Sequence, residues 1–213
     1  MKSHSWYRLR TGARSSKTTG MARPPYRDAI RRLGVMRALA QFDPHLVGTL
    51  PLGVDLPTSD LDIVCHAAEP DAFTAALWAA FSGETAFSLR QWTIIDRPVI
   101  ASFTAHGWPF QVFGQKKPVP EQNGWRHFIA ERRLLRLGGP TFRAAIMRER
   151  SRGAKTEPAF ATVLRLTGDP YVALLGLERC DNGGLNHLLV RAGFGGNLPS
   201  TSDFIHSHVR LFQ

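Results

Sequence analysis

The sequence predicts an α/β fold of the α+β type, in which about five short strands are flanked by helices and a helical part follows. Three observations predict it. Apolar residues recur at helical spacing from Pro24, five short runs rich in β-branched and aromatic residues fill residues 45–113, and the 3.6-residue period returns beyond Pro120.

Each element has a local reason. Ile30, Leu33, Met36 and Leu39 share one helical face, and Pro24 and Pro25 suit a first turn, so a helix is expected over about 24–41. The apolar run His45–Leu50 lies between Pro44 and Pro51, and Leu61–Cys65 follows the turn-forming Pro57-Thr58-Ser59; both are expected as strands. Asp71 to Phe81 is Ala-rich, with Phe73, Leu77 and Phe81 on one face and Asp71 as the expected N-cap. The segments 87–95, 99–105 and 108–113, separated by Asp96-Arg97-Pro98 and His106-Gly107, predict a three-stranded meander. Helices are then expected over 121–137, ended by Gly138-Gly139, and over 141–150, 158–166 and 170–177. Five glycines after Glu178 and the lack of a sustained period predict a loosely ordered tail over 179–213. The remaining boundaries place a basic flexible leader at 1–22, an α/β core at 23–118 and a helical subdomain packed on it at 119–178.

A length of 213 residues fits one domain with extensions and excludes two large domains. With 43% hydrophobic and 21% charged residues the chain buries a core, which excludes a disordered or fibrous protein. Every apolar run is interrupted well before the roughly 18–20 residues needed to span a bilayer, so no membrane role is expected. Two cysteines without metal-ligand spacing and the absence of an apolar signal core in the first twenty residues predict a cytoplasmic protein.

The net charge of +10 is unevenly distributed: residues 1–40 hold ten Lys or Arg against the single acid Asp28, and the remainder is almost balanced. Nucleic acid is therefore expected as a partner only through this basic N-terminal arm, a property weighed against a plain flexible leader ahead of Met21.

The chemistry concentrates in Val47-Gly48-Thr49 and, ten residues later, Asp60-Leu61-Asp62-Ile63. Alternation along a strand turns Asp60 and Asp62 to one face and Leu61 and Ile63 into the core. At about 5 Å and an effective dielectric of about 20, the two carboxylates repel by roughly 3 kcal/mol, which a divalent cation would offset. Mg²⁺ or Mn²⁺ suits carboxylate oxygens and completes its shell with substrate phosphates. Gly48 lets backbone approach a phosphate, and the Thr49 hydroxyl is a donor beside it.

A hydrophobic residue followed by Gly-Thr, then Asp-x-Asp, resembles the signature of the nucleotidyltransferase superfamily. The blocks Gly48-Thr49-Leu50-Pro51-Leu52-Gly53, Ser59-Asp60-Leu61-Asp62-Ile63, Phe113-Gly114-Gln115, Glu121-Gln122-Asn123 with Arg126-His127, and Lys155-Thr156-Glu157-Pro158 resemble more closely a mostly bacterial family described only as a domain of unknown function, numbered 4269. The resemblance runs from about 24 to 177 and implies a nucleotidyltransferase-like short mixed sheet flanked by helices. It implies a transfer of a nucleotidyl group from a nucleoside triphosphate to an unknown acceptor, with Mg²⁺ held by Asp60 and Asp62. Gln111 stands where the superfamily pattern places a third carboxylate, and it cannot accept a proton as a general base. Either Glu131, Glu157 or a metal-bound hydroxide assists there, or the chain is a non-catalytic nucleotide- or phosphate-binding module of the same fold.

The expected nucleotide-binding residues are Gly48, Thr49, Ser59, Arg126, His127 and Lys155. Arg126 and His127 lie within about one turn of Glu131, which is placed to orient the imidazole, and a helix-face ion pair is the competing reading. Lys155 sits at the positive end of the helix expected from Pro158, a place for an anion, and capping by Thr156 or Glu157 is the alternative.

Overall fold

The structure, a computed structural model, describes residues 23–93 and 96–195; the leader at 1–22 and the end of the tail from 196 lie outside the described residues. The fold is the mixed α/β arrangement expected from the sequence. Five strands, β1 (His45–Val47), β2 (Leu61–His66), β3 (Thr85–Gln91), β4 (Val99–Ala105) and β5 (Trp108–Gln115), form one sheet in the order β1-β2-β5-β4-β3. The meander β3-β4-β5 is antiparallel, β2 runs parallel to β5, and β1 runs antiparallel to β2. The parallel pair requires a crossover, which α4 (Pro70–Phe81) and the first two strands of the meander supply.

The sheet has two differently covered faces. On one face Leu61, Ile63, Cys65, Phe103, Phe110 and Val112 pack against Ala29 of α1 (Tyr26–Leu33), Val35 of α2 (Val35–Ala38) and Phe73, Leu77 and Phe81 of α4. Phe103 stacks on both Phe81 and Phe110 at 4.9 and 5.3 Å between ring centroids. Each of these side chains, once fully buried, contributes about 1.5–3 kcal/mol. On the other face Val47 and Val64 meet a second core built by α5 (Asn123–Ser151), α6 (Thr156–Val163), α7 (Pro170–Glu178) and α8 (Asn182–Arg191). The helical part is thus packed onto the strand end that carries Asp60 and Asp62.

Several boundaries depart from the periodicity. The first helix is not continuous over 24–41: Gly34 adopts φ +69°, closing α1 and opening α2, and a 3-10 turn follows at Ala40–Phe42. The strand expected over 45–50 ends at Val47, and Thr49–Leu52 forms a single helical turn, α3. Asp71 is not the N-cap of α4; Glu69 holds that position, Pro70 begins the helix and Asp71 lies in its first turn. The expected break at Gly138-Gly139 is present as a kink, with Gly139 at φ 65° and ψ −162° inside α5.

The tail is corrected in part. Residues 182–191 form α8, whose N-cap Asp181 accepts a 2.7 Å hydrogen bond from the Gly184 amide, and whose Leu185 and Leu189 are fully buried. Two of the five glycines read as loop residues, Gly183 and Gly184, lie in its first turn, where an Asx cap outweighs their poor helix propensity. Both cysteines are free, and burial together with the Asp43 charge pushes the Cys65 thiol up to about 12, which leaves it unreactive. Among the described residues no helix is long and apolar enough to cross a membrane.

Candidate functional site

The site begins where β1 ends. Gly48 has φ +79° and ψ −161°, a conformation that L side chains rarely adopt, and a Cβ placed there would strike the Asp62 carboxylate. Glycine is therefore required twice over, by its backbone angle and by the close passage of the aspartate. The following Thr49 donates from Oγ1 to Ser59 Oγ at 3.1 Å, and Ser59 Oγ also accepts from the Leu56 amide at 2.9 Å. Arg23 closes the same loop from outside, donating to the Ser59 carbonyl at 3.2 Å while its guanidinium lies over the Trp108 ring. Both hydroxyls line the cleft, but they are engaged with one another. Their physical effect is to brace the 48–49 turn against the 56–59 loop and hold its backbone open to a ligand.

The pattern of β2 is as the alternation requires. Leu61 and Ile63 are fully buried in the first core, and Asp60 and Asp62 turn to the opposite face, where both line a cleft of about 110 Å³. Asp62 pairs with Val47 on one side and with Gln111 on the other. Gln111 also lines the cleft, and it is backed on β4 by its partner Ser102. Register thus places Gln111 beside Asp62, on the strand to which the superfamily resemblance assigns a third carboxylate.

The opposite wall comes from the helical part. Lys155, the N-cap of α6, lines the cleft together with Thr156 and Glu157, and α5 contributes Glu131 and Arg150. Arg150 is buried; it donates from Nε to the Val54 carbonyl at 3.2 Å and from Nη1 to Thr156 Oγ1 at 2.9 Å. One guanidinium therefore ties the loop after α3, the start of α6 and the end of α5. Burial, and then the charge of Glu157, push the Glu131 carboxyl well above the usual carboxylate range, against the pull of Arg150. Burial likewise raises Glu157 to about 7, against its own backbone hydrogen bond and the charges of Lys155 and Arg150.

Arg126 and His127, expected as nucleotide ligands, are not among the cleft-lining residues. Arg126 is paired with Glu178 of α7 at 2.9 Å. His127 is 3% exposed; its Nε2 lies 2.9 Å from the Tyr171 carbonyl and its Nδ1 3.6 Å from Glu157 Oε1. The imidazole is thus oriented by the Tyr171 carbonyl and not by Glu131, its Nδ1 is buried near Glu157 without a hydrogen-bond partner among the described residues, and burial lowers its pKa. The helix-face reading of this pair is the one the packing favours, because α7 covers the side of α5 on which they lie.

Four lining residues gave little signal in the sequence. Arg150 is one of several arginines in residues 143–152, and only its burial distinguishes it. Arg90 and Trp92 come from β3 and its end, within the strand expected over 87–95. Gln122 is held by two donations from Nε2, to the Cys65 and Lys117 carbonyls, each at 2.9 Å. Among the described residues no group of three or more His, Cys, Asp or Glu is placed to hold a metal ion, and Asp60 and Asp62 share the cleft with the Gln111 side chain.

The family model of the domain of unknown function DUF4269 matches residues 28–177. No curated protein matches the chain. Among solved structures, that of the Cid1 poly(U) polymerase with MgGTP bound superposes with a TM-score of 0.48 at 13% identity, over 70% of this chain and 47% of that one. The GLD-2/RNP-8 complex gives a TM-score of 0.48 at 11% identity, over 78% and 73%. A cytoplasmic RNA terminal U-transferase gives 0.43 at 14%, over 67% and 40%. The chain spans about half the length of the Cid1 structure.

Proposed function

Because the chain belongs to the DUF4269 family, whose description assigns no activity, function has to be read from the cleft, and we propose a divalent-cation-dependent nucleotidyltransferase. It would move a nucleotidyl group from a nucleoside triphosphate to a hydroxyl or similar acceptor. The observation that carries this reading is the register that sets Asp62 beside Gln111, with Asp60 on the same cleft and the Gly48 backbone against the Asp62 carboxylate.

The donor set fits Mg²⁺ or Mn²⁺. Two carboxylates and an amide oxygen are hard oxygen donors, and two carboxylates are as many as Mg²⁺ commonly takes from protein when phosphates complete its shell. When bound, such an ion supplies charge neutralisation and Lewis acidity at the phosphates. The residues of the chain do the rest. The braced turn at Gly48-Thr49, stiffened by Ser59, presents backbone to the phosphates. Lys155 faces them from the opposite wall with its charge. Arg126 and His127 act behind that wall by holding α7, through Glu178 and the Tyr171 carbonyl.

Gln111 favours a second reading, a nucleotide- or phosphate-binding module without turnover, since an amide takes no proton from an attacking hydroxyl. One experiment separates them: the purified protein is incubated with Mg²⁺ or Mn²⁺ and each labelled triphosphate in cell extract. Transfer of label to any molecule supports the enzyme. Triphosphate binding in calorimetry without transfer supports the module, and binding indifferent to chelator overturns the role of the metal and with it the transferase.

Gln111→Glu is expected to tighten Mg²⁺ binding, because it restores a carboxylate beside Asp62. Where an acceptor is present, it should raise transfer by about 10²- to 10⁴-fold. Calorimetry checks the first effect and initial rates the second; unchanged metal affinity would place Gln111 outside the site. The basic leader is assigned a separate role: removal of residues 1–20 should leave Tm and triphosphate affinity unchanged while abolishing salt-sensitive affinity for nucleic acid, measured by filter binding at two salt concentrations.

A further inference from the structure

We propose that the buried wall bearing Glu131 and Glu157 is the acceptor subsite of the cleft, and that it takes a small molecule through a protonated amine. The word acceptor rests on the nucleotidyl-transfer reading, whereas the amine site rests on the wall alone.

Helices α5 and α6 bring the two glutamates to the cleft at 4% and 2% exposure. Glu131 Oε1 is buried without a hydrogen-bond partner among the described residues, and an unsatisfied buried acceptor costs about 1–3 kcal/mol. Native structures keep such a group chiefly where something else is to bind. The groups facing the pair are Arg150 from the end of α5, Lys155 from the start of α6 and His127 behind Glu157, with the Arg126 charge beyond it. Arg150 draws both carboxyls down and Lys155 draws Glu157 down, yet both remain above the ordinary carboxylate range. The wall therefore presents a buried acceptor, Glu131 Oε1, that no donor among the described residues reaches.

Three ligand chemistries compete for this description. A divalent cation would bring two positive charges beside Arg150 and Lys155, which already face the pair, where an ammonium brings one. A hydroxyl brings a donor without charge. A primary ammonium brings three N–H donors on one compact charge, which satisfies Glu131 Oε1 and offsets the repulsion between the two carboxylates. A nucleic acid strand is disfavoured here, because its phosphates would approach two buried carboxyls.

Calorimetry on the full chain with 1,4-diaminobutane and with 1,4-butanediol tests the site. The expected result is millimolar or tighter binding of the diamine, with the diol at least tenfold weaker. Glu131→Gln, which keeps the side-chain shape, should weaken the diamine at least tenfold, and Glu157→Gln provides the same test from α6, with circular dichroism confirming that each variant is folded. Equal binding of diol and diamine, no binding of either, or full diamine affinity in both folded variants overturns the proposal. Diamine binding intact while triphosphate binding ignores chelator would sink the nucleotidyl-transfer reading and leave the amine site standing. The converse would sink the amine site alone.

Discussion

Asp62→Asn is expected to lower nucleotidyl transfer by about 10²- to 10³-fold and to weaken metal-dependent triphosphate binding, while the metal-free protein is at least as stable as the parent. The asymmetry follows from the position of the carboxylate. Asp62 shares one face with Asp60, so replacing it with a neutral side chain of the same shape removes half of a like-charge pair and relieves repulsion in the metal-free protein. The same replacement removes one of the two aspartates that line the sheet side of the cleft among the described residues. Triphosphate affinity by calorimetry with and without chelator, with Tm measured on the same samples, checks both halves. A folded variant with undiminished affinity would show that Asp62 does not hold the ion, and an unfolded variant would make the aspartate structural.

The second large effect is expected at Arg150. Arg150→Met keeps the bulk of the side chain and removes the guanidinium, leaving the Val54 carbonyl and Thr156 Oγ1 without their donor and the two buried glutamates without their nearest shared cation. Breaking a buried charged network of this kind costs roughly 3–5 kcal/mol. The cost should depend on pH with a defined sign. Glu157 titrates at about 7 in the folded protein against an ordinary 4.5, and Glu131 is shifted in the same direction, so the folded state holds protons that the unfolded state releases. Stability from this pair is therefore full below about 4.5 and lost as pH rises through about 7. Without Arg150 both carboxyls move further up, and the loss deepens. Urea unfolding at pH 5 and pH 8 should give a larger difference between variant and parent at pH 8; equal differences would show that Arg150 does not act on the pair.

The sheet side of the site was legible in the sequence because its determinants are local. A two-residue period places Asp60 and Asp62 opposite Leu61 and Ile63, and a glycine before Thr49 marks a backbone that must pass close to something. The kink at Gly139 and the positions of α6 and α7 were equally local, since Gly and Pro punctuate them. Helix α8 was missed for a related reason: its cap is a single Asp181, and its period is carried by Leu185 and Leu189 alone, whose burial depends on a core assembled by the other helices.

What only the tertiary structure decided is the opposite wall. Arg126 and Arg150 are the same residue type on one helix, but Arg126 lies under α7 and meets Glu178, whereas Arg150, beyond the kink, is turned into the cleft. Glu131, four residues after His127, was placed by spacing to orient the imidazole, and packing gave that role to the Tyr171 carbonyl of another helix instead. Strand alternation fixes a side chain's face from its neighbours in the chain, and so the sequence by itself determined the two aspartates. The burial and partners of a helix residue depend on which other helix covers it, and that long-range packing brought Glu131, Glu157 and Arg150 to one cleft.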